Sequence, residues 1–441
     1  MTRLARVPEL QSLTPRRRRP AAVSRIFLLA PLILPAVLAV SALGAGRLRV
    51  CLVAGSETPV NQAGLMMLRL KVALERDYPV DGILVTSRDG ENHFENLEAL
   101  RTADAAVFLI RRKTPPPAQL AIFREFFDSG RGFVTVKSTS HAFENWKTFD
   151  AEILGATYAG GFADHARLQV INAYPHPIFT GAEGFETDQG MYAYTELARD
   201  ILILMEGTVG EATVPMAWVR PHRGGRIFHF SPGGAALAKD PEYLRIIGNA
   251  LLWVSRRPIP GARTAVQRSY LPDAYPGAFA ITFPRGPGLC YDPVRGGINY
   301  AWEGDFADLR PRWLTKQGQP VRFVGNVFYR EQNRLPLRTE PTREPVGEFL
   351  GYVLVDGFPE FHWMVDGREV RELLRPLADG VGVVRRFSVG AGVGPLWLLL
   401  EPQVGAEVTI DGAVRDDNAV RYTGGAGEFS VMVRRKAPVL P

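Results

Sequence analysis

Between Leu48 and about Arg257, short apolar runs alternate with segments whose apolar residues recur at helical spacing. LRVCLVAG, DGILVTS, AAVFLI and FVTVK are the runs, each with the length and composition of a strand. GLMMLRLKVALER and the shorter ENLEAL carry the helical period, as does PPAQLAIFREFFDSG, which opens on prolines and closes at Gly130, the residues that helix ends favour. This succession predicts an α/β sheet with helices on both faces. After Ser140 and His141 the runs shorten to LQVI, ILILMEG, VPMAWVR and RIFHFS, and a last helix, PEYLRIIGNALLWVSRR, closes the region.

The stretch Pro258-Ile259-Pro260-Gly261-Ala262 marks a boundary, and the pattern beyond it changes. GAFAITF, NYAWEG, VRFVGNVFY, EFLGYVLVDG, PEFHWMVDG, GVVRRFSVG, PLWLLLEP, AEVTIDG and EFSVMVRR read as strands separated by Gly, Pro and Asp-Gly turns, the pattern of an antiparallel sandwich. The expected organisation is a leader over residues 1–46, an α/β domain over 47–257, a linker over 258–273 and an all-β sandwich over 274–437.

Composition changes this picture in one respect. The net charge of +6 lies entirely in the leader, where seven arginines face Glu9 alone, so the body of the chain sums to zero. It has no electrostatic footprint for a nucleic acid. The leader joins this basic cluster to the apolar run Ile26–Ala45 with small residues near its end, and reads as an export signal to the periplasm or cell exterior. The same run is long enough to anchor the chain in a bilayer if it is left uncleaved, which is the alternative. The two cysteines, Cys51 and Cys290, lie far apart, and Cys51 sits inside an apolar strand as a structural thiol would.

Candidate chemistry gathers at the strand ends. In an open parallel sheet, ligands bind outside the carboxyl ends of the strands, where loops leave a crevice of polar groups. Ser56, Glu57 and Asn61 follow the first strand, Thr86, Ser87 and Arg88 the second, and Arg111 and Arg112 the third. The fourth, FVTV, stops abruptly in Lys137, Ser138, Thr139, Ser140 and His141. An imidazole there can exchange a proton at neutral pH, or it can merely satisfy backbone groups of the turn.

KSTSHAF, FDAEILGATYAGGFADH, YPHPIFTG, PMAWVRPHRGGRIFHFSPG and the closing helix, in this order, resemble the landmarks of the trehalose-utilisation, ThuA-like family over roughly half the chain. The resemblance implies a flavodoxin-like, class I glutamine amidotransferase-like fold and a link to carbohydrates. That fold sets a cysteine nucleophile on the turn after the central strand; this turn has none, so glutamine hydrolysis through an acyl-enzyme lacks its attacking group. Ser138 or Ser140 with His141 as base is the conceivable substitute.

With the resemblance, His141 is the first catalytic candidate and His165, in the glycine-rich GGFADH, the second. Lys137, Ser138, Ser140, Asp188 and Tyr192 are the candidate substrate holders: relatives with this motif tend to carry arginine where Lys137 stands, and an acid and a tyrosine where Asp188 and Tyr192 stand. His165 with His141 is a conceivable pair of metal ligands, but no close ligand spacing of the HExxH kind is present, so no metal site is assigned, and the cofactor is left unknown by the sequence. His176, between two prolines, reads as a turn former. The strand that ends in Phe230 lacks the terminal histidine of many relatives; the nearest, His229, is a strand residue whose alternation turns it to the other face. Trp302, Phe306, Trp313 and Trp363 offer flat faces for sugar rings but more often belong to a sandwich core. The expectation is an exported protein that binds or transforms a sugar or oxidised sugar at the strand-end crevice, with a non-catalytic binding or interaction module as the alternative.

Overall fold

The computed structural model describes residues 46–437, apart from 60, 89, 164–167, 173–175, 183–185, 188–190, 210–211, 305–306, 309–318 and 324. The leader, with its apolar run, lies outside the described residues, as do His165 and Asp188. No helix among the described residues is long and apolar enough to cross a membrane.

The strands of the first half are β1 (Leu48–Gly55), β2 (Val80–Thr86), β3 (Ala105–Ile110), β4 (Gly132–Val136), β5 (Thr157–Ala163), β6 (Leu168–Asn172), β7 (Glu186–Thr187), β8 (Met191–Thr195), β9 (Leu202–Val209), β10 (Ala212–His222) and β11 (Gly225–Phe230). Nine of them form one sheet in the order β2-β1-β3-β4-β11-β10-β9-β6-β7. The strands β2, β1, β3, β4 and β11 run parallel in flavodoxin-like order. Beyond β11 the pairing turns antiparallel. The local cause is the junction of β10 and β11, where Arg223 and Gly224 hold φ of 49° and 81°. A two-residue turn with both φ positive closes an antiparallel hairpin, whereas a parallel neighbour needs a long crossover.

Among the described residues, three α-helices cover the sheet. α1 (Ala63–Asp77) buries Met66, Met67, Leu70 and Leu74, one face of a 3.6-residue period. α2 (Pro117–Asp128) starts on proline, buries Ile122, Phe123, Phe126 and Phe127, and is followed by Gly130 at φ 73°. α3 (Pro241–Val254) is capped by Asp240, whose carboxylate accepts from the amides of Glu242 and Tyr243. α3 packs with α1 in the core on one face, and the phenylalanines of α2 fill the core on the other.

From Ala265 onward the strands are antiparallel, in sheets of five, six and four strands and one further pair. The five- and six-stranded sheets share a core in which Tyr291 stacks on Phe361 with ring centres 3.6 Å apart, and Phe387 stacks on Phe429. Trp302 is fully buried against Phe323, and Trp363 is buried with its indole donating to the Tyr291 hydroxyl at 2.8 Å. Both are core rings; Phe306 and Trp313 lie outside the described residues. Arg322 ties the antiparallel part to the α/β part by donating to the carbonyls of Arg199 and Ile201, and Arg47–Pro441 form one compact unit. Cys51 and Cys290 are buried free thiols, each pushed up to about 12 by burial.

Candidate functional site

β4 ends in an extended Val136, and the next residue, Lys137, holds φ at 45° before a single 3₁₀ turn over Lys137–His141. A side chain in the left-handed region is a strained arrangement that persists only where its surroundings fix it. Here Gly233, after β11, presses on the turn: a Cβ at that position would lie 2.8 Å from the Lys137 Cβ, so only glycine allows the approach. Lys137 is buried, and its ammonium reaches the Gly233 carbonyl at 3.4 Å. Thr139 ties the turn to β3, with its hydroxyl at 2.8 Å from the Phe108 carbonyl. Asn61 ties it to the first loop by donating to Ser56 at 2.6 Å and to Ser138 at 3.2 Å. The amide of Arg112 donates to the His141 carbonyl. Loops after the first, third and fourth strands thus meet around one turn.

His141 sits under two aromatic rings that β5 and β8 deliver as a pair. Tyr158 stacks on it with ring centres 4.1 Å apart, and Tyr192 meets it edge-on at 5.5 Å. Burial, with the nearby guanidinium groups of Arg111 and Arg112 adding to it, pushes the imidazole down to about 3. The ring is therefore neutral at pH 7: it can accept a hydrogen bond but has no extra proton to give. A neutral imidazole donates a hydrogen bond at one nitrogen and accepts one at the other.

Behind His141 runs a continuous polar path. The Ser140 hydroxyl lies 3.2 Å from His141 Nδ1, so these neighbours on the turn do face one another. Ser140 also hydrogen-bonds with Tyr194, whose hydroxyl lies 3.3 Å from Ser231 and 3.2 Å from Nε2 of His229. Nδ1 of His229 lies 2.8 Å from the Thr135 hydroxyl. His229 is fully buried beside Trp218, and burial pushes it too down to about 3. A neutral imidazole donates at one nitrogen and accepts at the other, so it links Thr135 to Tyr194 without carrying charge. His229 is sealed within its strand, and Tyr194 connects it to the turn.

Among the sequence candidates, the structure brings together Lys137, Ser138, Ser140, His141 and Tyr192. Ser138 and Ser140 are fully buried and their hydroxyls are engaged as described, so neither reaches solvent. His165 and Asp188 lie outside the described residues. His176 caps a short turn by accepting from the Ile178 amide, the role its flanking prolines suggested. No cluster of metal-ligating side chains occurs among the described residues. Tyr158, Tyr194, His229 and Ser231 were not singled out as members of the site. For Tyr194 a signal existed, since it stands two residues beyond Tyr192 in MYAYT; for Tyr158 only the pairing of β5 with β8 reveals the role.

Residues 68–254 match the family model described as ThuA, trehalose utilisation. A ThuA family domain therefore occupies this part of the chain. The antiparallel region after it lies beyond the matched residues. No curated protein matches the sequence. Among solved structures, a ThuA-like protein from Parabacteroides merdae is similar at 15% identity over 47% of this chain and 90% of its own, with a TM-score of 0.38. A ThuA-like protein from Bacteroides uniformis shows 16% identity over 50% of this chain and 95% of its own, with a TM-score of 0.39. A β-galactosidase from Bacillus circulans shows 9% identity over 87% of this chain and 41% of its own, with a TM-score of 0.34. Likenesses this distant bear on neither substrate nor activity.

Proposed function

We propose that the ThuA domain takes a sugar or oxidised sugar at the turn after β4, with His141 as the contact that decides binding. The supporting observation is the polar path from Thr135 through His229, Tyr194 and Ser140 to a single histidine framed by Tyr158 and Tyr192. Aromatic faces suit the apolar side of a sugar ring, and a neutral imidazole suits its hydroxyls. Lys137 and Tyr192 hold substrate in this reading; Asp188 as a further holder and His165 as the partner of His141 lie outside the described residues. If a proton is moved, His141 acts as its acceptor.

Binding without turnover is the second reading, and the low imidazole pKa favours it, because a base works best with a pKa near the operating pH. Calorimetry of the full chain against a panel of neutral and oxidised sugars, with product analysis, separates the two readings: a binder gives heat without product. His141→Ala is expected to abolish the response. An unchanged variant would reduce the turn to a structural feature. Glutamine is expected to release no ammonia.

A further inference from the structure

The cations around the β4 turn are of two kinds. Several are engaged within the fold: Arg88 pairs with Glu95 at 3.9 Å, Lys147 pairs with Glu144, and the ammonium of Lys113 donates to the carbonyls of Arg88 and Glu91. Lys137 reaches the Gly233 carbonyl. Arg111 and Arg112, just past the end of β3, differ: among the described residues their guanidinium groups enter no ion pair and no hydrogen bond. Arg112 also acts on Glu144, but that carboxylate accepts its hydrogen bond from Lys147. Arg111 is half-buried and Arg112 exposed, so both can be reached from solvent. Two adjacent cations left without an acid repel each other and draw an anion.

The backbone fixes this pair against the turn. The amide of Arg111 donates to the Gly55 carbonyl at 3.1 Å, that of Arg112 to the His141 carbonyl at 2.9 Å, and that of Lys113 to the Ala142 carbonyl at 2.8 Å. Arg112 holds φ at 47°, a left-handed backbone that glycine adopts freely and a side chain does not. Strain of this kind gathers at ligand-binding positions. Both guanidinium groups also act on the imidazole, adding to burial in holding it neutral, so Arg111, Arg112 and His141 bear on one place. We propose that the occupant of the β4 turn is an acidic sugar, its anionic group held by Arg111 and Arg112 and its hydroxyls by His141. This rests on the reading of the turn as a sugar site and narrows it to a charged ligand. A carboxylate fits the planar fork of a guanidinium, and a phosphate shares that chemistry.

The test is titration calorimetry of the full chain with gluconate, glucuronate and glucose 6-phosphate, and glucose as the neutral control. At least one acid should bind about tenfold more tightly than glucose, the ratio that one charge-assisted hydrogen bond supplies, and its affinity should fall as salt rises. Tight binding of the carboxylates alone, or of the phosphate alone, identifies the anion. Arg111→Gln should weaken the acid by about tenfold without weakening glucose. Arg112→Gly should do the same while unfolding at an equal or higher temperature, because it removes the charge and relieves the backbone together. Equal affinity for acid and glucose, or acid binding that survives both substitutions, overturns the inference. If glucose binds as tightly as the acids and all binding is lost in His141→Ala, the sugar site stands and only its preference for charge fails. No heat with any of the four ligands removes the site and this inference together.

Discussion

Among the described residues, a buried polar cluster in the antiparallel half and another in the ThuA domain differ in a way that separates structure from candidate function. In the antiparallel half, Arg385 donates to Glu372 at 2.6 Å, Tyr291 donates to the same carboxylate, and Trp363 donates to Tyr291. Arg385 also reaches Tyr329, which donates to Glu331 at 2.6 Å. Arg385, Glu372 and Glu331 are all buried, so formal charge is sealed between sheets and saturated there. In the ThuA domain the cluster is neutral, passes through Tyr194 and His229, and ends at a ring that keeps some access to solvent. A sealed cluster built on an ion pair fixes packing; a neutral one that leads to an accessible edge can meet a ligand. Burial of polar groups alone does not mark a site.

The sharpest way to break this comparison is to unpair the sealed charge. Arg385→Met leaves Glu372 buried without its cation and should cost about 3–5 kcal/mol in denaturant unfolding. The double variant with Glu372→Leu should recover most of that loss; a fully stable single variant would show that water reaches the cluster.

pH separates the two clusters by sign. Burial holds Glu331 up to about 7, above its ordinary value, so its contribution to stability is full below about 4.5 and is lost as pH rises through 7. Roughly 3 kcal/mol is involved, and Glu331→Gln should flatten that slope in unfolding measurements across this window. His141 and His229 act in the other direction: held down to about 3, they favour the fold above 6.5 and weaken it as pH falls toward 3. An acid arm unaltered by His141→Gln would contradict the buried position of that ring.

Smaller effects probe the open cluster. Tyr194→Phe removes the hydroxyl shared by His229, Ser231 and Ser140 and should cost about 1–2 kcal/mol in thermal unfolding, with weakened sugar binding. His141→Ala should cost under about 1 kcal/mol in stability while removing the calorimetric response, because its ring ends the path rather than bridging it. Equal stability losses in Tyr194→Phe and His141→Ala would erase the distinction between link and terminus.

Much of the fold was legible in the chain. Continuous apolar runs, the helical period of α1 and the prolines and glycine around α2 all correspond to observed elements. Less legible were strands whose burial contradicts their composition. Arg368–Pro376, REVRELLRP, is absent from the runs read as strands, yet it forms a strand with Arg368 and Glu372 buried. Their partners stand elsewhere: Arg368 donates to the carbonyls of Gly390, Gly394, Gly424 and Gly425, and Glu372 pairs with Arg385. The turn after β4 was visible as a polar stop to an apolar run, and His141 with it. The strain at Lys137 was not, because it depends on Gly233 pressing from a strand distant in sequence.

The sequence by itself determined where apolar surface must be hidden, and hence the order of strands and helices and the polar residues left at the strand ends. Periodicity is a local property, and hydrophobic burial follows it with little regard to partners. Only the tertiary structure decided that His141 would be framed by Tyr158 and Tyr192, that His229 would join it through Tyr194, and that Arg111 and Arg112 would act on its ring. Hydrogen bonds and charges act over a few ångströms and depend on direction, so their pairings exist only once distant segments have been brought to the same place.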